Sequence, residues 1–442
     1  MTMHEFADRL RSLALEKGAA AAETCVDESE VFRVKILDGA IDSYTVSNRV
    51  ALGLRVEVDG KNGYAGTQTA QDAEELVARA IDNARTVEQT DENPMQTAQE
   101  YESVEFPACP LCGLSIQEKI ELAKSMEQKA KAADARVFQT PHCVVSTGRM
   151  ARRLKNTCGL DASVREESGA IALQAAVRED EEIHDGFAVR TGAAALDVDG
   201  CVNEAVQKAV ACFGAASVRS GKMPVLFDRE AASDLLGAFS GMFCADMAQK
   251  GLSPLAGKEG QKIAADGVTI LDDPFYEKNP RAFDGEGTPS EKTTVVENGA
   301  FRTFLHNLKT AKKAGVRTTA NAGRSAAASP VDVSPYNFYI APGKADREAM
   351  LSEMQNGVLI CEVSGLHAGL NAVTGDFSLL AAGFLVENGK KTRAVEQVTV
   401  AGNFLTLLQN VRRVGNDLLL DENVVGSPSL LVRELTVSGS EE

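Results

Sequence analysis

The sequence has no apolar run approaching the ~18 residues that a membrane-spanning helix needs, which excludes a transmembrane class. Residues 1–9 are polar with a helical pattern, unlike a signal peptide. Tryptophan is absent, which carries no functional information. The nine cysteines are odd in number and lack a disulfide-framework spacing, which suits reduced thiols. The sequence therefore predicts a cytoplasmic protein with no membrane segment.

Positive charge is also scarce. Lysine and arginine total 46 against 63 acidic residues, giving a net charge of -17 and a pI near 4.9. Such a balance disfavours a phosphate-binding surface, and the pairs Arg152-Arg153 and Arg412-Arg413 are too short to form a strong basic patch. We therefore expect no direct binding of nucleic acid, and an acidic surface that keeps the protein soluble.

One Cys-x-x-Cys sequence occurs, at residues 109–112. A structural zinc site would need a second pair of ligands, and His142 with Cys143 is the nearest candidate. The simpler interpretation is a surface loop that carries two free thiols.

The N-terminal half predicts an α+β domain, residues 1–220, with an internal duplication. Helical patterns at 4–17 and 115–133 are each followed by four strand-like segments and a second helix. The predicted strands are 21–28, 31–37, 48–58 and 62–68 in the first unit, and 136–147, 149–156, 170–178 and 186–191 in the second. Predicted hairpins at 58–65, which contains Asn62-Gly63, and at 185–188, which contains Asp185-Gly186, occupy matching places. Residues 87–114, with three prolines, are the predicted connection between the units.

Residues 221–442 predict a β-rich C-terminal domain. It begins with a strand at 223–227, and Asp228 is a suitable N-cap for a helix from about Arg229 to Met247. Strands and turns dominate the remainder, with short helical stretches at Leu308–Ala314, Asp346–Met354 and near Thr406–Val411.

Two loop-and-strand cassettes, about ninety residues apart, lie within this domain. The first contains Phe283-Asp284-Gly285-Glu286-Gly287-Thr288-Pro289, Val296-Glu297-Asn298-Gly299 and Leu305-His306-Asn307. The second contains Thr374-Gly375-Asp376-Phe377-Ser378, Gly383-Phe384-Leu385-Val386-Glu387-Asn388-Gly389, Gly402-Asn403 and Val414-Gly415-Asn416-Asp417. Each Asn-Gly predicts a type I′ hairpin turn, since both central residues of that turn have positive φ.

In this order, these residues resemble the TldD/PmbA family, known as modulators of DNA gyrase and associated with a zinc peptidase. The resemblance is specific from about residue 220 onward and weaker before it. It implies proteolytic maturation of small peptides and degradation of unfolded proteins. The family contains catalytic and non-catalytic subunits, which the sequence can distinguish.

The catalytic TldD type carries His-Glu-x-x-x-His on the helix that corresponds to 229–247. That motif falls here on Gly237, Ala238 and Met242, which supply neither histidine nor the glutamate base. A methionine thioether is a poor zinc ligand, and the other two side chains offer none. The catalytic type also uses a cysteine near its C-terminus, whereas the last cysteine here is Cys361. The chain therefore resembles the PmbA/TldE type, with no metal ligands and no catalytic residues of its own.

Other candidate residues offer no clear replacement site. No two of the five histidines lie within five residues of each other, and His306 is expected to be structural. Asp376 and Glu286 lie in glycine-flanked loops, where carboxylates commonly cap backbone N–H groups, with a catalytic pair as the alternative. Ser378 and Ser427 lack a visible base partner, so a serine triad is unsupported. The substrate-binding residues are unknown from sequence.

The sequence thus predicts a non-catalytic partner subunit of a TldD/TldE-type metallopeptidase. The resemblance implies zinc only in a TldD-like partner, with this chain completing a chamber for peptides. We expect a heterodimer with that partner, and a homodimer when the chain is alone. The alternatives are an independent hydrolase with an unrecognised site and a homodimeric peptide-binding protein.

Overall fold

The structure is a computed structural model that describes residues 1–88, 93–420 and 424–440. Residues 89–92 of the predicted connection 87–114 lie outside these ranges. Among the described residues, no helix is long and apolar enough to cross a membrane. The α-helices are α1 (Met3–Glu16), α2 (Ala73–Thr86), α3 (Ile116–Ala133), α4 (Val198–Val210), α5 (Arg229–Phe239), α6 (Ala245–Gln249), α7 (Leu308–Ala314), α8 (Arg347–Met354) and α9 (Phe404–Gln409).

The strands give the chain a mixed α+β fold. They are β1 (Ala21–Leu37), β2 (Ala40–Val58), β3 (Lys61–Thr67), β4 (Val137–Asn156), β5 (Asp161–Glu179), β6 (Glu182–Thr191), β7 (Gly221–Phe227), β8 (Ile270–Asp272), β9 (Thr293–Glu297), β10 (Ala300–Phe301), β11 (Ala322–Gly323), β12 (Asp332–Val333), β13 (Phe338–Ile340), β14 (Gly357–Ser364), β15 (Leu370–Asn371), β16 (Asp376–Glu387), β17 (Lys390–Asn403), β18 (Val411–Val414), β19 (Val425–Gly426) and β20 (Leu430–Ser438). The C-terminal region is β-rich, as the sequence predicted.

The N-terminal strands form one antiparallel six-stranded sheet in the order β3-β2-β1-β4-β5-β6. Helices α1 and α2 pack on β1–β3, whereas α3 and α4 pack on β4–β6 and the far end of β1. The two halves meet at the β1–β4 pair, where Cys25 lies opposite Leu154. Helix, three strands, helix is therefore the element order in both halves. The internal duplication itself stays a prediction.

The prediction of four strands in each half was wrong. Segments 21–28 and 31–37 form the single strand β1, and 136–147 and 149–156 form β4. The pairing of β1 with β4 runs unbroken from Glu23 to Lys35, so the polar residues near position 29 are exposed members of a long strand and do not form a turn.

The first predicted hairpin, 58–65, is present but does not turn at Asn62-Gly63, and the second, 185–188, lies within β6. The first turn is at Asp59 and Gly60, whose φ values of 51° and 73° suit a two-residue hairpin, and Asn62-Gly63 lies within β3. A Cβ on Gly63 would lie 2.0 Å from the Ala80 carbonyl oxygen in α2, so this glycine allows the helix to approach the sheet. Gly186 serves the same purpose in β6 beneath α4.

Five strands of the C-terminal region close into a barrel. β7 pairs with β14 and β20, β20 with β17, β17 with β16, and β16 returns to β14. The strands β15 and β18 attach to β16 and β20. A second sheet has the order β10-β9-β8-β13-β19, and β11 pairs with β12. The predicted turns at Asn298-Gly299 and Asn388-Gly389 are confirmed, since all four residues have positive φ between paired strands.

The predicted helix 229–247 is divided into three pieces. Helix α5 ends at Phe239, a 3₁₀ turn follows at Ser240–Phe243, and α6 begins at Ala245. Cys244 between them has an extended backbone (φ -88°, ψ 131°) and forms a β-bridge with Leu305. This bridge to a distant segment interrupts the helix, and sequence periodicity does not reveal it.

A buried ion pair joins the N-terminal sheet to the C-terminal region. Arg324 Nη2 lies 2.7 Å from Glu23 Oε1, and each side chain is 2% exposed. Arg324 Nε also donates to the Gly285 carbonyl oxygen at 2.9 Å. Nearby, Arg152 forms two bonds with Asp27, both at 2.7 Å, and donates to the Arg324 carbonyl oxygen. Ion pairs that are largely buried therefore hold the N-terminal sheet and the C-terminal region together.

Replacing Arg324 with methionine should strongly destabilise the protein. The variant leaves the Glu23 carboxylate buried without its cation, which in other proteins costs about 3–5 kcal/mol of unfolding free energy. Urea titration followed by circular dichroism measures the loss.

Arg302→Met is the matched control, because Arg302 pairs with Glu297 at 2.9 Å while both side chains are half exposed. Such surface pairs contribute about 0–1 kcal/mol. Equal losses in the two variants would contradict the role given to the buried pair.

Candidate functional site

Helix α5 is positioned by its N-cap residue, Asp228, and by its apolar side. The Asp228 carboxylate accepts hydrogen bonds from the Glu230 and Ala231 N–H groups at 3.0 and 3.1 Å, which caps the helix. Leu235 and Phe239 are buried in the core that α5 shares with the barrel and the five-stranded sheet. The helix is thus fixed at the centre of the C-terminal region.

The three positions of the zinc motif have no ligand side chain in this helix. Gly237 and Ala238 are half-buried on α5, whereas Met242 lies on the 3₁₀ turn and is 2% exposed in the core. Ser253 donates its hydroxyl to the Met242 carbonyl oxygen at 2.6 Å, which fixes the backbone of that turn. The side chains at these positions contribute packing and no nitrogen or oxygen donor.

The C-terminal segment at which the family's cysteine ligand is expected packs directly on α5. A Cβ added at Gly237 would lie 3.9 Å from the Cβ of Val425. Ser427 is fully buried, its N–H donates to Ser233 Oγ at 2.8 Å, and its own hydroxyl donates to the Pro428 carbonyl oxygen at 2.8 Å. Helix α5 and the C-terminal segment are therefore in contact, through Val425 beside Gly237 and through the hydrogen bond between Ser427 and Ser233.

These residues do not fit a zinc ion. Structural and catalytic zinc sites take three or four ligands from cysteine, histidine and carboxylates. Within residues 1–88, 93–420 and 424–440, no group of three such side chains is placed to hold a metal. The expectation that zinc belongs to a TldD-like partner stays a prediction, as does the absence of catalytic residues here.

Cys361, the last cysteine, lies beside the start of α5. It occupies a bulge in β14 between Ile360 and Glu362, and its side chain bonds to Asp228. Burial raises the pKa of Asp228 to about 6 and raises the pKa of the Cys361 thiol well above its ordinary value. At neutral pH the thiol therefore keeps its proton, which makes it a poor nucleophile.

The first cassette forms a tight loop around Asp284. This carboxylate accepts hydrogen bonds from the N–H groups of Glu286 and Thr288 at 2.9 Å, and from that of Ala322 at 3.0 Å. The Asp284 carboxylate therefore stabilises its own loop and links that loop to β11 by a hydrogen bond. Burial raises the pKa of Asp284 above its ordinary value.

Glu286 points into the same buried region and is 1% exposed. Its Oε2 accepts the Leu308 N–H at 3.0 Å, as predicted for a capping carboxylate, whereas Oε1 has no partner among the described residues. Burial first, and then the Asp284 carboxylate, raise the pKa of Glu286 to about 8. Glu286 is therefore largely protonated at neutral pH.

Asp376 is the exposed first residue of β16 and belongs to the second cassette. It accepts hydrogen bonds from Thr374 Oγ1 at 2.8 Å and Asn403 Nδ2 at 2.9 Å, which lower its pKa. No hydrogen bond or ion pair in the described part of the chain joins it to Glu286. Ser378 is exposed on β16. The alternative of a catalytic Asp376–Glu286 pair therefore gains no support from geometry.

His306 is buried at the start of α7. Its Nδ1 lies 3.3 Å from Thr310 Oγ1, and its carbonyl oxygen accepts the Asn321 N–H at 3.1 Å. Burial lowers the pKa of the imidazole, so the ring is neutral at pH 7. These contacts agree with the structural role expected for this histidine.

The Cys-x-x-Cys sequence is not a surface loop. Cys109 and Cys112 are 8% and 9% exposed and lie against β4 and β5. His142 contacts Phe187 with ring centroids 5.9 Å apart, and Cys143 donates to the Ala123 carbonyl oxygen in α3. His142 and Cys143, considered as the second ligand pair for zinc, therefore contact other residues.

Comparison with known protein families gives matches to three consecutive segments of the chain. Residues 220–439 match the C-terminal domain of the PmbA/TldA metallopeptidases, 109–213 match the central domain, and 22–84 match domain 1. A candidate modulator of a DNA gyrase from Thermotoga maritima MSB8 is 34% identical, covering 99% of this chain and 100% of that one, with a TM-score of 0.90. The chain belongs to the PmbA/TldD family.

Further relatives within the family are similar over nearly their whole length. The metalloprotease PmbA of Escherichia coli O157:H7 is 26% identical over 441 residues, which are 97% of this chain and 94% of that protein. The structure of TldE from Thermococcus kodakarensis covers 98% of this chain and 100% of its own, with a TM-score of 0.88. At 23% identity this last likeness shows the PmbA/TldD fold alone.

Sequence reasoning missed the residues that lie where the resemblance implies the metal ligands of the TldD type. Val425 and Ser233 are ordinary residues in sequence, and only the pairing of β19 with β13 brings Val425 to α5. The bond between Asp228 and Cys361 was missed for the same reason, although Asp228 was identified as a cap.

The purified chain should contain no stoichiometric zinc. Gly237, Ala238 and Met242 offer no donor that competes with the usual nitrogen, thiolate and carboxylate ligands. Metal analysis after incubation with zinc and gel filtration measures the content. About one zinc per chain, lost on replacing Cys361 with serine or Asp228 with asparagine, would overturn the prediction.

Replacing Glu286 with glutamine should alter how stability depends on pH. The folded-state pKa is raised, so the protonated carboxyl stabilises the fold below pH 4.5, and this contribution is lost as pH rises towards 8. The variant lacks that titration. Its stability relative to the wild type should therefore increase between pH 5 and 8, by at most about 1.4 kcal/mol per pH unit.

Urea titrations at several pH values provide the measurement. Asp376→Asn is the matched control, because the pKa of Asp376 is lowered and its titration falls below this range. Parallel pH profiles for Glu286→Gln and the wild type would show that Glu286 is ionised in the folded protein.

Proposed function

We propose that this chain is the subunit without zinc ligands in a two-chain metallopeptidase that processes small or unfolded peptides. The supporting observation is the contact between α5 and the C-terminal segment. Val425 packs against Gly237, and Ser427 bonds to Ser233, where the catalytic type would place its metal ligands. A TldD-like chain supplies the zinc, and its motif activates the water.

The role of this chain in that complex is to complete the peptide-binding chamber. An extended peptide binds most readily along an open strand edge, where its backbone continues the sheet. The barrel closes on itself, so its five strands form a continuous ring of pairs. The outer edges of the six-stranded sheet are β3 and β6, and β6 carries the exposed residues Ile183, Phe187 and Val189. Strands β3 and β6 are therefore the edges that we propose for strand addition.

The proposal extends to the organisation of the chain. Residues 1–220 form a domain made by duplication of a helix–sheet–helix unit, and residues 221–442 form the second domain. The support is the repeated order of helix, three strands and helix, together with Gly63 beneath α2 and Gly186 beneath α4. Free thiols at all nine cysteines, each of which lies in a described range, suit a cytoplasmic location.

Peptidase activity should require the TldD-like chain and should increase when both chains are present. We expect this chain to be a homodimer alone and a heterodimer after co-expression with a TldD-like chain, with an interface above ~2,000 Å² of total buried surface. Light scattering reports the mass, and cleavage of an unstructured peptide by each chain and by the complex reports activity. Only samples that contain the TldD-like chain and zinc should cleave, and the complex should cleave fastest.

Met242→Leu in this chain is the matched control, because it keeps the packing volume and removes the sulfur. Activity of the complex should be unchanged, as Met242 holds no metal. Cleavage by this chain alone would favour the independent hydrolase. A homodimer that binds peptide but never associates with the TldD-like chain would favour the peptide-binding protein, and a monomer that ignores the TldD-like chain would reject the assembly.

A further inference from the structure

The thiols of Cys109 and Cys112 lie against each other beneath the N-terminal sheet. Their Sγ atoms are 3.0 Å apart, and both residues are more than nine-tenths buried. Neither zinc binding nor the proposed peptidase uses this pair.

The local backbone explains the contact. Residues Pro110–Gly113 form a 3₁₀ turn that follows Cys109. Such a turn has three residues per turn, so side chains three positions apart stack on the same side. A rise of about 2.0 Å per residue separates the two Cα atoms by roughly 6 Å, within the range of about 4.4–6.8 Å that disulfides require.

The surroundings hold both thiols in place and leave one accessible. Cys112 Sγ lies 3.4 Å from the Ser168 carbonyl oxygen, and a Cβ on Gly169 would come within 2.6 Å of Cys109 Sγ. Cys112 also lines a cavity of about 300 Å³, together with Lys119 and Arg149. This cavity is therefore the side from which we expect an oxidant to approach the pair.

We propose that Cys109 and Cys112 are a dithiol that closes to an intramolecular disulfide in the folded protein. The oxidant is a low-molecular-weight disulfide such as oxidised glutathione. One cysteine thiolate attacks it, forms a mixed disulfide and releases one glutathione thiolate. The other cysteine attacks the protein sulfur of that mixed disulfide and releases the second glutathione. The two thiol protons end on the two glutathione molecules, and the cysteines lose two electrons.

Burial sets the rate of this reaction. It raises the pKa of the Cys112 thiol to about 12, so little thiolate exists at neutral pH. Because the thiolate is the attacking species, oxidation is slow near pH 7 and accelerates as pH rises. The pair is therefore a slow redox site and not a rapid catalytic one.

Two other buried cysteines serve as internal controls. Cys143 donates to the Ala123 carbonyl oxygen at 3.3 Å, and Cys201 donates to that of Ala188 at 3.6 Å. Neither has a thiol within hydrogen-bonding distance among the described residues. Cys158 is exposed and would collect glutathione, so it is replaced by serine in the test.

The test treats the full chain carrying Cys158→Ser with oxidised glutathione at pH 8, under native conditions. Free thiols are blocked in acid with one alkylating reagent, disulfides are reduced, and the released thiols take a second reagent. Mass spectrometry then assigns each cysteine. We expect Cys109 and Cys112 to carry the second label together, about tenfold faster or more than Cys143 or Cys201. Before reduction, the peptide that contains both should be two hydrogens lighter.

Adding Cys112→Ser should abolish the lighter peptide, whereas adding Cys143→Ser should leave it unchanged. The proposal is overturned if the pair oxidises no faster than Cys143. It is also overturned if the lighter peptide forms only in urea, or if the reaction stops at a glutathione adduct on Cys109 or Cys112.

Discussion

The buried ion pair between Glu23 and Arg324 is the contact on which the relation between the two regions depends. Arg324 also bonds to Gly285, so a residue of the first N-terminal strand is linked through one guanidinium to the Asp284 loop. That loop in turn places Glu286 at the start of α7. Groups this far from water are stable only with their partners, so the sheet and the first cassette must be assembled together.

Local chemistry could be predicted from the sequence, and long-range pairing could not. The turns at Asn298-Gly299 and Asn388-Gly389 and the helix Leu308–Ala314 follow from the properties of a few adjacent residues. The break in the predicted helix 229–247 comes from a bridge between Cys244 and Leu305, which are distant in sequence. Segments 21–28 and 31–37 were predicted as separate strands, although pairing with β2 and β4 keeps the residues between them extended.

The candidate site, too, could be predicted from the sequence only where adjacent residues determine it. The residue types at Gly237, Ala238 and Met242 are enough by themselves to exclude a zinc ligand set at these positions. What occupies the position instead is visible only when β19 packs beside α5 and brings Val425 to Gly237. The raised pKa of Glu286 likewise comes from burial between two regions, which the residue's loop sequence does not encode.

The closed barrel constrains how the protein is made. β7 begins at Gly221, but the strand that fills the gap between β7 and β17 is β20, Leu430–Ser438. More than two hundred further residues must therefore leave the ribosome before the ring can close. The six-stranded sheet precedes β7 in the sequence, so it can form during that time. Until β20 is made, β7 presents an unpaired edge, and so does β17 once it has been synthesised. The nascent chain is thus most exposed to aggregation late in its synthesis, when chaperone contact would matter most.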